Sequence, residues 1–261
     1  MSLTRRQLVQ QMLALPITTG AGVFYGLRPQ TQRPLTRRSP PPLPTYPCRK
    51  VQPFALDGDL QKAIWRSCPA RTLVPATGKR GRLQPTTVKA CWSDRYLYVG
   101  FSCRDTHILS SFTKRDEPLY EQDVVEVFLS LPGDLRHYFE CEFSPRNVIF
   151  DARIFNPSGR GGAGMKVDTD WNCEGLQSAV KVRDDLAESP GRAPGWSVEV
   201  AVPFAGLGVA APAVGARWRG NFYRIDYGGT ATEFSAWSPT LVEPASYHVP
   251  ERFGWLVFEG P

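Results

Sequence analysis

The sequence predicts an all-β protein, an antiparallel β-sandwich of two sheets with about nine or ten strands. Three observations predict it. Residues 51–261 contain many short segments in which apolar and polar side chains alternate, as in half-buried strands. Turn signals recur between these segments at regular spacing, which is typical of sandwiches. Segments with the period of an amphipathic helix are nearly absent.

The predicted strands follow one another along the chain with short connections. TVKACW and YLYVGFSC flank the turn SDR, and DVVEVFLS is followed by the turn LPGD. HYFECEFS and NVIFDARIF are separated by PR, and GWSVEVAVPF, RWRGNFYRID and FGWLVFEG complete the set. NPSGRGGAGMKVD is a predicted loop, and it lacks the Lys-Ser/Thr pair and the following helix of a phosphate loop. Only DGDLQKAIWRSC is predicted to form a helical turn or two, with Asp57 or Asp59 as N-cap and Trp65 directed inward.

Two segments precede the predicted sandwich domain, which we place at residues 48–261. Residues 1–27 contain the paired Arg5 and Arg6 followed by a mainly apolar run, and they resemble a twin-arginine export signal or a membrane anchor. An amphipathic helix on a cytoplasmic protein is the alternative. Residues 28–47 are rich in Pro and Arg, so we expect an extended linker. We therefore expect export to the periplasm or the extracellular space, with membrane attachment through the N-terminal segment left open.

The net charge of +6 does not indicate a nucleic-acid partner. Residues 1–50 carry eight Arg and Lys residues and no acidic residue. Without these eight charges, residues 51–261 have a net charge of −2. A folded domain that is slightly acidic lacks the basic surface on which phosphate binding depends.

Six cysteines suggest disulfides in an exported protein, but the local sequence pattern predicts free thiols. Cys103 and Cys141 are each separated by an even number of positions from apolar residues of the same strand, so they share the core-facing side with them. Buried thiols behave as small hydrophobic groups. The sequence contains no C-x-x-C motif and no Cys/His spacing suited to zinc. We therefore expect a reduced protein.

A group of carboxylates shares one face of the predicted sheet. Glu126 has Val124 and Phe128 as neighbours on its own face, and the next strand places Glu140 and Glu142 on that face as well. Three interpretations remain open at this point. The face is solvated, which is the default for Glu142, or it carries a glycosidase pair, or it binds sugar hydroxyls beside aromatic rings.

Eight fragments together resemble the family 9 carbohydrate-binding modules and similar bacterial proteins, over residues 48 to 259. The fragments are LDGDLQKAIW, CWSDRYLYVGFSCRD, LYEQDVVEVFLS, YFECEFSPRNVIFDAR, GWSVEVAVPF, GARWRGNFYRID, AWSPT and SYHVPERFGWLVF. The resemblance implies a sandwich that binds sugars without cleaving them and requires no cofactor. Calcium sites occur in this family, so a structural calcium ion is expected as a possibility, with its ligands unassigned.

The resemblance also implies positions for a sugar site. Tyr120 and Tyr247 stand at the two places where the characterised modules carry clamping tryptophans. Glu126 matches a strand glutamate that hydrogen-bonds sugar hydroxyls. Glu140 falls near the place of a sugar-binding arginine, so the charge at that position is negative here instead of positive. Each tyrosine has an alternative interpretation as a core-edge residue with a solvated hydroxyl.

Two further residues complete the set of predicted ligand-binding side chains. His248 is placed to donate to a sugar. Arg224 is a charge within a strand and needs a partner; Glu126 is the candidate, in a pair that is either part of the site or purely structural.

The resulting prediction is an exported carbohydrate-binding protein linked to carbohydrate catabolism. The first alternative is a hydrolase of O-glycosyl bonds on the same sandwich. A haem-binding domain is the second, but Met165 is the only methionine outside the leader, and it lies in a Gly-rich loop rather than in an axial Met/His pair.

Overall fold

A computed structural model describes residues 39–132, 134–183, 194–229 and 231–261. The predicted export signal at residues 1–27, and the linker up to residue 38, lie outside the described residues. Leu43–Pro261 forms one compact unit. Within the described ranges, no helix has the length and apolar character needed to cross a bilayer.

The described residues form two β-sheets that pack face to face. The front sheet has the order β1-β14-β12-β6-β7-β8-β9, with β13 beside β12 and β3 beside β13. The back sheet has the order β10-β11-β5-β4-β1, with β2 beside β4. One short helix, α1 (Ala63–Arg66), and two 3-10 turns at Leu119–Glu121 and Pro250–Arg252 accompany them. The strands are β1 (Thr45–Lys50), β2 (Arg71–Thr72), β3 (Val74–Pro75), β4 (Thr86–Trp92), β5 (Tyr96–Arg104), β6 (Val124–Ser130), β7 (His137–Phe143), β8 (Ile149–Phe155), β9 (Lys166–Asp168), β10 (Gln177–Arg183), β11 (Gly195–Pro203), β12 (Arg217–Asp226), β13 (Glu233–Ala236) and β14 (Gly254–Phe258).

The all-β sandwich is confirmed, with differences in strand number and direction. Fourteen strands are present in the described residues. Four that were not predicted, β2, β3, β9 and β13, have only two to four residues each and carry no readable alternation. The other two are β1, which lies partly in the predicted linker, and β10, along which burial does not alternate. Strand β1 is the exception to the antiparallel arrangement, since it runs parallel to both β14 and β4.

Strand β1 begins inside the range predicted as linker. Tyr46 is fully buried, its hydroxyl donates to the carbonyl of Pro69 at 2.6 Å, and it accepts from the amide of Ala90 at 2.7 Å. Pro47 and Cys48 continue the pairing with β14. A buried side chain with two hydrogen bonds places this strand within the domain, a few residues before the predicted boundary at residue 48.

The core between the sheets follows the predicted alternation. Val125, Val127 and Leu129 of β6 point into it, as do Cys103 and Cys141. The four tryptophans that the sequence indicates as core residues are all buried: Trp65, Trp92, Trp196 and Trp237.

The outer face of the front sheet is covered as well. Val124 and Phe128, on the face of β6 that points away from the main core, pack in a second apolar cluster with Leu119, Tyr247 and Phe253. These last three belong to the segments that lead into β6 and β14. The consequence is that polar side chains on this face lie beneath a layer of apolar residues.

Helix α1 is held by a buried carboxylate rather than by the predicted N-cap. Glu199 of β11 is fully buried and accepts the indole N–H of Trp65 at 2.6 Å and the ammonium of Lys62 at 2.7 Å. The side chains of Asp57 and Asp59 accept backbone N–H groups two residues further on, in turns that precede the helix. The predicted cap is wrong because these turns use both carboxylates before the helix starts.

Arg224 connects the two sheets across the core. From β12 it donates to Thr86 Oγ1 at 3.0 Å and to the carbonyl of Arg104 at 2.8 Å, both in the back sheet. Its other terminal nitrogen lies 2.9 Å from Asp105 and 2.7 Å from Asp226. The predicted pair between Arg224 and Glu126 is wrong, because Arg224 faces Val125 in the strand register and its side chain points to the opposite side of the sheet.

Replacing Arg224 by alanine is expected to destabilise the fold strongly. The change leaves buried Asp105 and Asp226 without their cation, which costs about 3–5 kcal/mol of unfolding free energy. Urea denaturation measures the loss. Arg153→Ala is the matched control, because Arg153 forms an exposed pair with Asp168 that is worth about 0–1 kcal/mol. Equal losses in the two variants would contradict the structural role of Arg224.

Reduction is expected to leave the stability of the fold unchanged. All six cysteines are buried and free, so no disulfide contributes to the native state. Thermal melts with and without dithiothreitol measure the effect, and thiol titration in denaturant should count six groups per chain. A loss of about 2–4 kcal/mol on reduction, the size of a structural disulfide, would refute the prediction.

Candidate functional site

The predicted carboxylates meet at the centre of the outer face of the front sheet. In the antiparallel pairing of β6 and β7, Glu126 stands directly opposite Glu142, and Glu140 lies two residues along β7 on the same face. One oxygen atom from each of the three side chains lies within 4.8 Å of the others. We call Glu126, Glu140 and Glu142 the glutamate cluster.

The glutamate cluster is buried. Glu126 is 2% exposed, Glu140 is 7% exposed and Glu142 has no exposed surface. The solvated face expected for Glu142 is therefore wrong. The sequence shows the alternation of β7 correctly, but it does not show that distant loop residues fold over this face.

Burial raises the pKa of all three carboxyl groups, because a charged carboxylate is poorly stabilised away from water. For Glu142, the charges of Glu126 and Glu140 add to the desolvation effect. Desolvation comes first for Glu126 as well, followed by the charge of Glu140. The pKa of Glu140, at the edge of the cluster, rises to about 7.

His248 lies at the rim of the glutamate cluster. Its Nε2 atom is 4.0 Å from Glu140 Oε1, and its Nδ1 atom is 3.0 Å from the hydroxyl of Tyr138. Burial lowers the pKa of His248 to about 4, so the ring is neutral near pH 7. A neutral imidazole does not compensate the charge of the neighbouring carboxylates.

Tyr247 is part of the apolar cover rather than an open platform. Its ring stacks on Tyr223 with 4.0 Å between centroids, and its hydroxyl donates to the carbonyl of Arg224 at 2.6 Å. The alternative of a core-edge tyrosine with a solvated hydroxyl is also wrong for Tyr247, because its hydroxyl is buried and donates to the Arg224 carbonyl. Tyr120 is partly exposed, and its ring meets Phe150 edge to face with 6.0 Å between centroids.

Five of the six predicted ligand-binding residues share one side of the front sheet, and one does not. The five are Tyr120, Glu126, Glu140, Tyr247 and His248. Arg224 is 1% exposed and points to the opposite side, into the main core. Sequence reasoning left two members of this environment out of the predicted site, Glu142 and Tyr138, although their even spacing from Glu140 already places them on its face.

A second group of buried acids lies at the other side of the front sheet and has a different electrostatic character. Oxygen atoms of Asp105, Asp123 and Asp226 also lie within 4.8 Å of one another. Arg224 supplies a cation to this group. The carboxylates also accept hydrogen bonds of 2.6–3.3 Å from N–H groups of six residues: Gln84, His107, Leu109, Trp196, Tyr227 and Gly228. Every carboxylate of this aspartate cluster thus has hydrogen-bond donors within the fold, and Arg224 offsets part of the negative charge.

The back sheet carries a separate polar cavity of about 310 Å³ on its outer face. Its walls include the side chains of Thr87, Ser102, Arg104, Lys181 and Ser197. None of the lining residues is aromatic, so the cavity lacks the stacking surface that sugar rings use.

Residues 56–260 match the family described as Carbohydrate family 9 binding domain-like. Solved structures agree in fold. A protein from Bacteroides uniformis ATCC 8492 superposes with a TM-score of 0.66 at 16% identity, covering 84% of this chain and 100% of that chain. A family 9 carbohydrate binding module from Caldicellulosiruptor kristjanssonii, solved in complex with cellotriose, superposes with a TM-score of 0.59 at 16% identity and covers 84% of this chain and 95% of that one.

Sequence relatives add two kinds of protein. An extracellular protein of Arthroderma benhamiae is 28% identical over 182 residues, which is 66% of this chain and 78% of the relative. Exoglucanase XynX of Acetivibrio thermocellus is 31% identical over 121 residues, but these are only 9% of its length. The match over residues 56–260, which is most of the chain, shows that this chain belongs to the family of Carbohydrate family 9 binding domain-like proteins.

Proposed function

We propose that this protein binds an oligo- or polysaccharide at the outer face of the front sheet and does not cleave it. The observation that carries the proposal is the family match over residues 56–260. The module of C. kristjanssonii, which has the same fold, was solved with cellotriose and with glucose. The predicted sugar-binding residues of this chain, apart from Arg224, gather on one face.

The exposed rim of this face offers the first contacts to a sugar. Tyr120 presents a partly exposed ring, which provides an apolar surface for the C–H face of a sugar. Glu140 and His248 stand beside each other at the accessible edge of the glutamate cluster and can accept from and donate to hydroxyl groups. Glu126 and Tyr247 lie deeper, so they support the rim unless the covering segments move aside.

Hydrolysis is the second candidate, and the geometry disfavours it. A glycosidase places two carboxyl groups on either side of the bond that breaks. Here the three carboxyl groups converge within 4.8 Å of one another and are at most 7% exposed. A glycosidic bond has no access to the space between carboxyl groups that are buried beneath an apolar cover.

We also propose that the protein is exported and acts in carbohydrate catabolism. One relative is an extracellular protein, and two others are an exoglucanase and an endo-1,4-beta-xylanase that share this region. The paired arginines near the N-terminus fit the twin-arginine route. Attachment to the membrane through residues 1–27 remains part of this proposal.

Sugar binding is expected to depend on Tyr120. A glycan array with the full chain identifies a ligand, and calorimetry then gives its affinity. Tyr120→Ala removes the stacking ring and should weaken binding by roughly 1–3 kcal/mol, whereas Tyr120→Trp should keep or improve it. Tyr96→Ala is the matched control, because Tyr96 is a partly exposed tyrosine at the start of β5 in the back sheet.

The outcome of this experiment separates the two candidate functions. Release of reducing ends from the bound glycan would favour the hydrolase. Unchanged affinity in Tyr120→Ala would show that the ring of Tyr120 does not contact the sugar. Tyr247→Ala needs a thermal melt beside each titration, because loss of a buried aromatic side chain costs about 3–5 kcal/mol of stability and lowers binding through the fold alone.

Export is expected to depend on the first pair of arginines. Changing Arg5 and Arg6 together to lysine should leave the protein in the cytoplasm, because the twin-arginine translocase reads that pair. Cell fractionation and immunoblotting measure the distribution. The double change of Arg37 and Arg38 to lysine is the matched control, since it alters a second arginine pair in the linker. Normal export of the first double variant would contradict the proposed route.

A further inference from the structure

The outer face of the back sheet carries a row of hydroxyl groups that ends in a lysine. In the register of the four strands, Thr87 stands opposite Ser102, Ser102 opposite Ser197, and Ser197 opposite Lys181. These side chains alternate with the core residues of their strands, so they point away from the core and line the cavity of about 310 Å³. Within the described ranges, the hydroxyls of Thr87 and Ser102 form no hydrogen bond, so both are available to a ligand.

A second row, two residues further along the strands, carries two arginines. Gly195 of β11 stands opposite Arg104 of β5 on one side and opposite Arg183 of β10 on the other. Its φ is +146°, and a Cβ atom there would lie 2.0 Å from the carbonyl oxygen of Cys103, so this position requires glycine. As a consequence, β11 places no side chain between the two arginines, and both line the cavity.

The guanidinium group of Arg183 extends across β11 toward Arg104. It donates to Ser197 Oγ at 3.2 Å and to the carbonyl oxygen of Cys103, on β5, at 3.4 Å. The backbones of the two arginines are two strand spacings apart, which is about 10 Å. Because the longer part of this gap is crossed by Arg183 itself, both guanidinium groups can contact one anion above Gly195.

The charge of the cavity is positive. Its lining contains Arg104, Lys181 and Arg183 against the single acid Asp59, which lies 3.6 Å from Lys181. Residues 51–261 as a whole carry a slight negative charge, so this group of cations does not follow from the composition of the domain. Arg104 is exposed, and its side chain forms no ion pair or hydrogen bond with any residue that the structure describes. The cavity therefore has the electrostatic character of an anion-binding site.

The kind of donor favours a carboxylate over a phosphate. Phosphate sites are usually built from backbone N–H groups at a helix N-terminus or in a Gly-rich turn. Here strands β4, β5, β10 and β11 pair with one another through their backbones, which leaves the side chains as donors. A guanidinium group matches a carboxylate with two parallel hydrogen bonds.

The hydroxyl row adds a second requirement for the ligand. The hydroxyls of Thr87 and Ser102 both donate and accept hydrogen bonds, which suits hydroxyl groups on the ligand. The lining contains no aromatic ring, so a neutral sugar finds no stacking surface and the charge must hold the ligand. A volume of 310 Å³ is at the lower end of the range of small-molecule pockets, about 300–1,000 Å³, which indicates a single small unit.

We propose that this cavity binds a hydroxylated carboxylate, the chemistry of a uronic acid. Arg104 and Arg183 hold the carboxylate, and Thr87 and Ser102 exchange hydrogen bonds with the hydroxyl groups of the ligand. The site belongs to the back sheet, whereas the glutamate cluster belongs to the outer face of the front sheet. The proposal therefore goes beyond the proposed function and does not depend on sugar binding at the front sheet.

Calorimetry of the full chain with matched ligands tests the proposal without any variant. Glucuronate should bind at least about tenfold more tightly than glucuronamide, its uncharged counterpart, because charge-assisted hydrogen bonds are stronger than neutral ones. Acetate and inorganic phosphate, which lack the hydroxyl groups, should also bind more weakly than glucuronate. Absence of glucuronate binding would overturn the proposal. Equal affinity for glucuronamide, acetate or phosphate would overturn it as well, because recognition would then lack either the charge or the hydroxyl groups.

Variants locate the site. Arg104→Gln should weaken glucuronate binding at least about tenfold, and Ser102→Ala should weaken the binding of glucuronate but not of acetate. Arg146→Gln is the matched control, because Arg146 is an exposed arginine in the turn between β7 and β8. Thermal melts should show equal stability for Arg104→Gln and the wild type, since Arg104 is exposed. Unchanged glucuronate binding in Arg104→Gln would overturn the proposal.

Tyr120→Ala separates this site from the front sheet. The variant should bind glucuronate as the wild type does, because Tyr120 lies on the other side of the sandwich. If Tyr120→Ala loses glucuronate binding and Arg104→Gln keeps it, the acid binds at the front sheet and the inferred cavity site is wrong, while the proposed function stands. If a neutral glycan binds and glucuronate does not, only the inference about the cavity fails.

Discussion

Arg224 is the contact on which the arrangement of the two sheets depends most. It extends from the front sheet, donates to a hydroxyl and a carbonyl of the back sheet, and pairs with Asp105 and Asp226. A buried ion pair contributes little net stability compared with apolar packing, but its directional bonds fix one relative position of the strands that it joins. The apolar core supplies most of the free energy of folding, and the Arg224 network determines how β12 sits on β4 and β5.

Alternation of side chains was sufficient to predict the strands and the faces of the main core. Val125, Val127 and Cys141 follow the period of two that a half-buried strand requires, and the structure buries them as expected. Four of the strands that the sequence did not show, β2, β3, β9 and β13, have two to four residues, too few for any period to appear. Strand β10 also escaped prediction, because burial does not alternate along it. The parallel pairing of β1 also escaped prediction, since no local pattern records which distant strand an N-terminal segment joins.

The face that carries the glutamate cluster was predicted, but its burial was not. The pattern of β6 and β7 placed Glu126, Glu140 and Glu142 on one face, which the register confirms. Whether that face is open depends on Leu119, Tyr247 and Phe253, which belong to segments far away in the sequence. The predicted partner of Arg224 was wrong for a different reason. The sequence does not give the register of β12 on β6, in which Arg224 stands opposite Val125 rather than Glu126. The side chain of Arg224 therefore lies on the other side of the sheet.

Strand β1 has a mechanical consequence for any chain held by the residues that precede it. Four residues of β1 pair with β14 and two pair with β4, so this one strand joins the edges of both sheets. Tension on the segment before Thr45 acts along β1 and loads these hydrogen bonds together in shear, rather than opening them one at a time. The buried hydroxyl contacts of Tyr46 resist the same displacement. The sandwich is thus fastened at the point where a pull from the N-terminal side enters it, and that force is shared between both sheets.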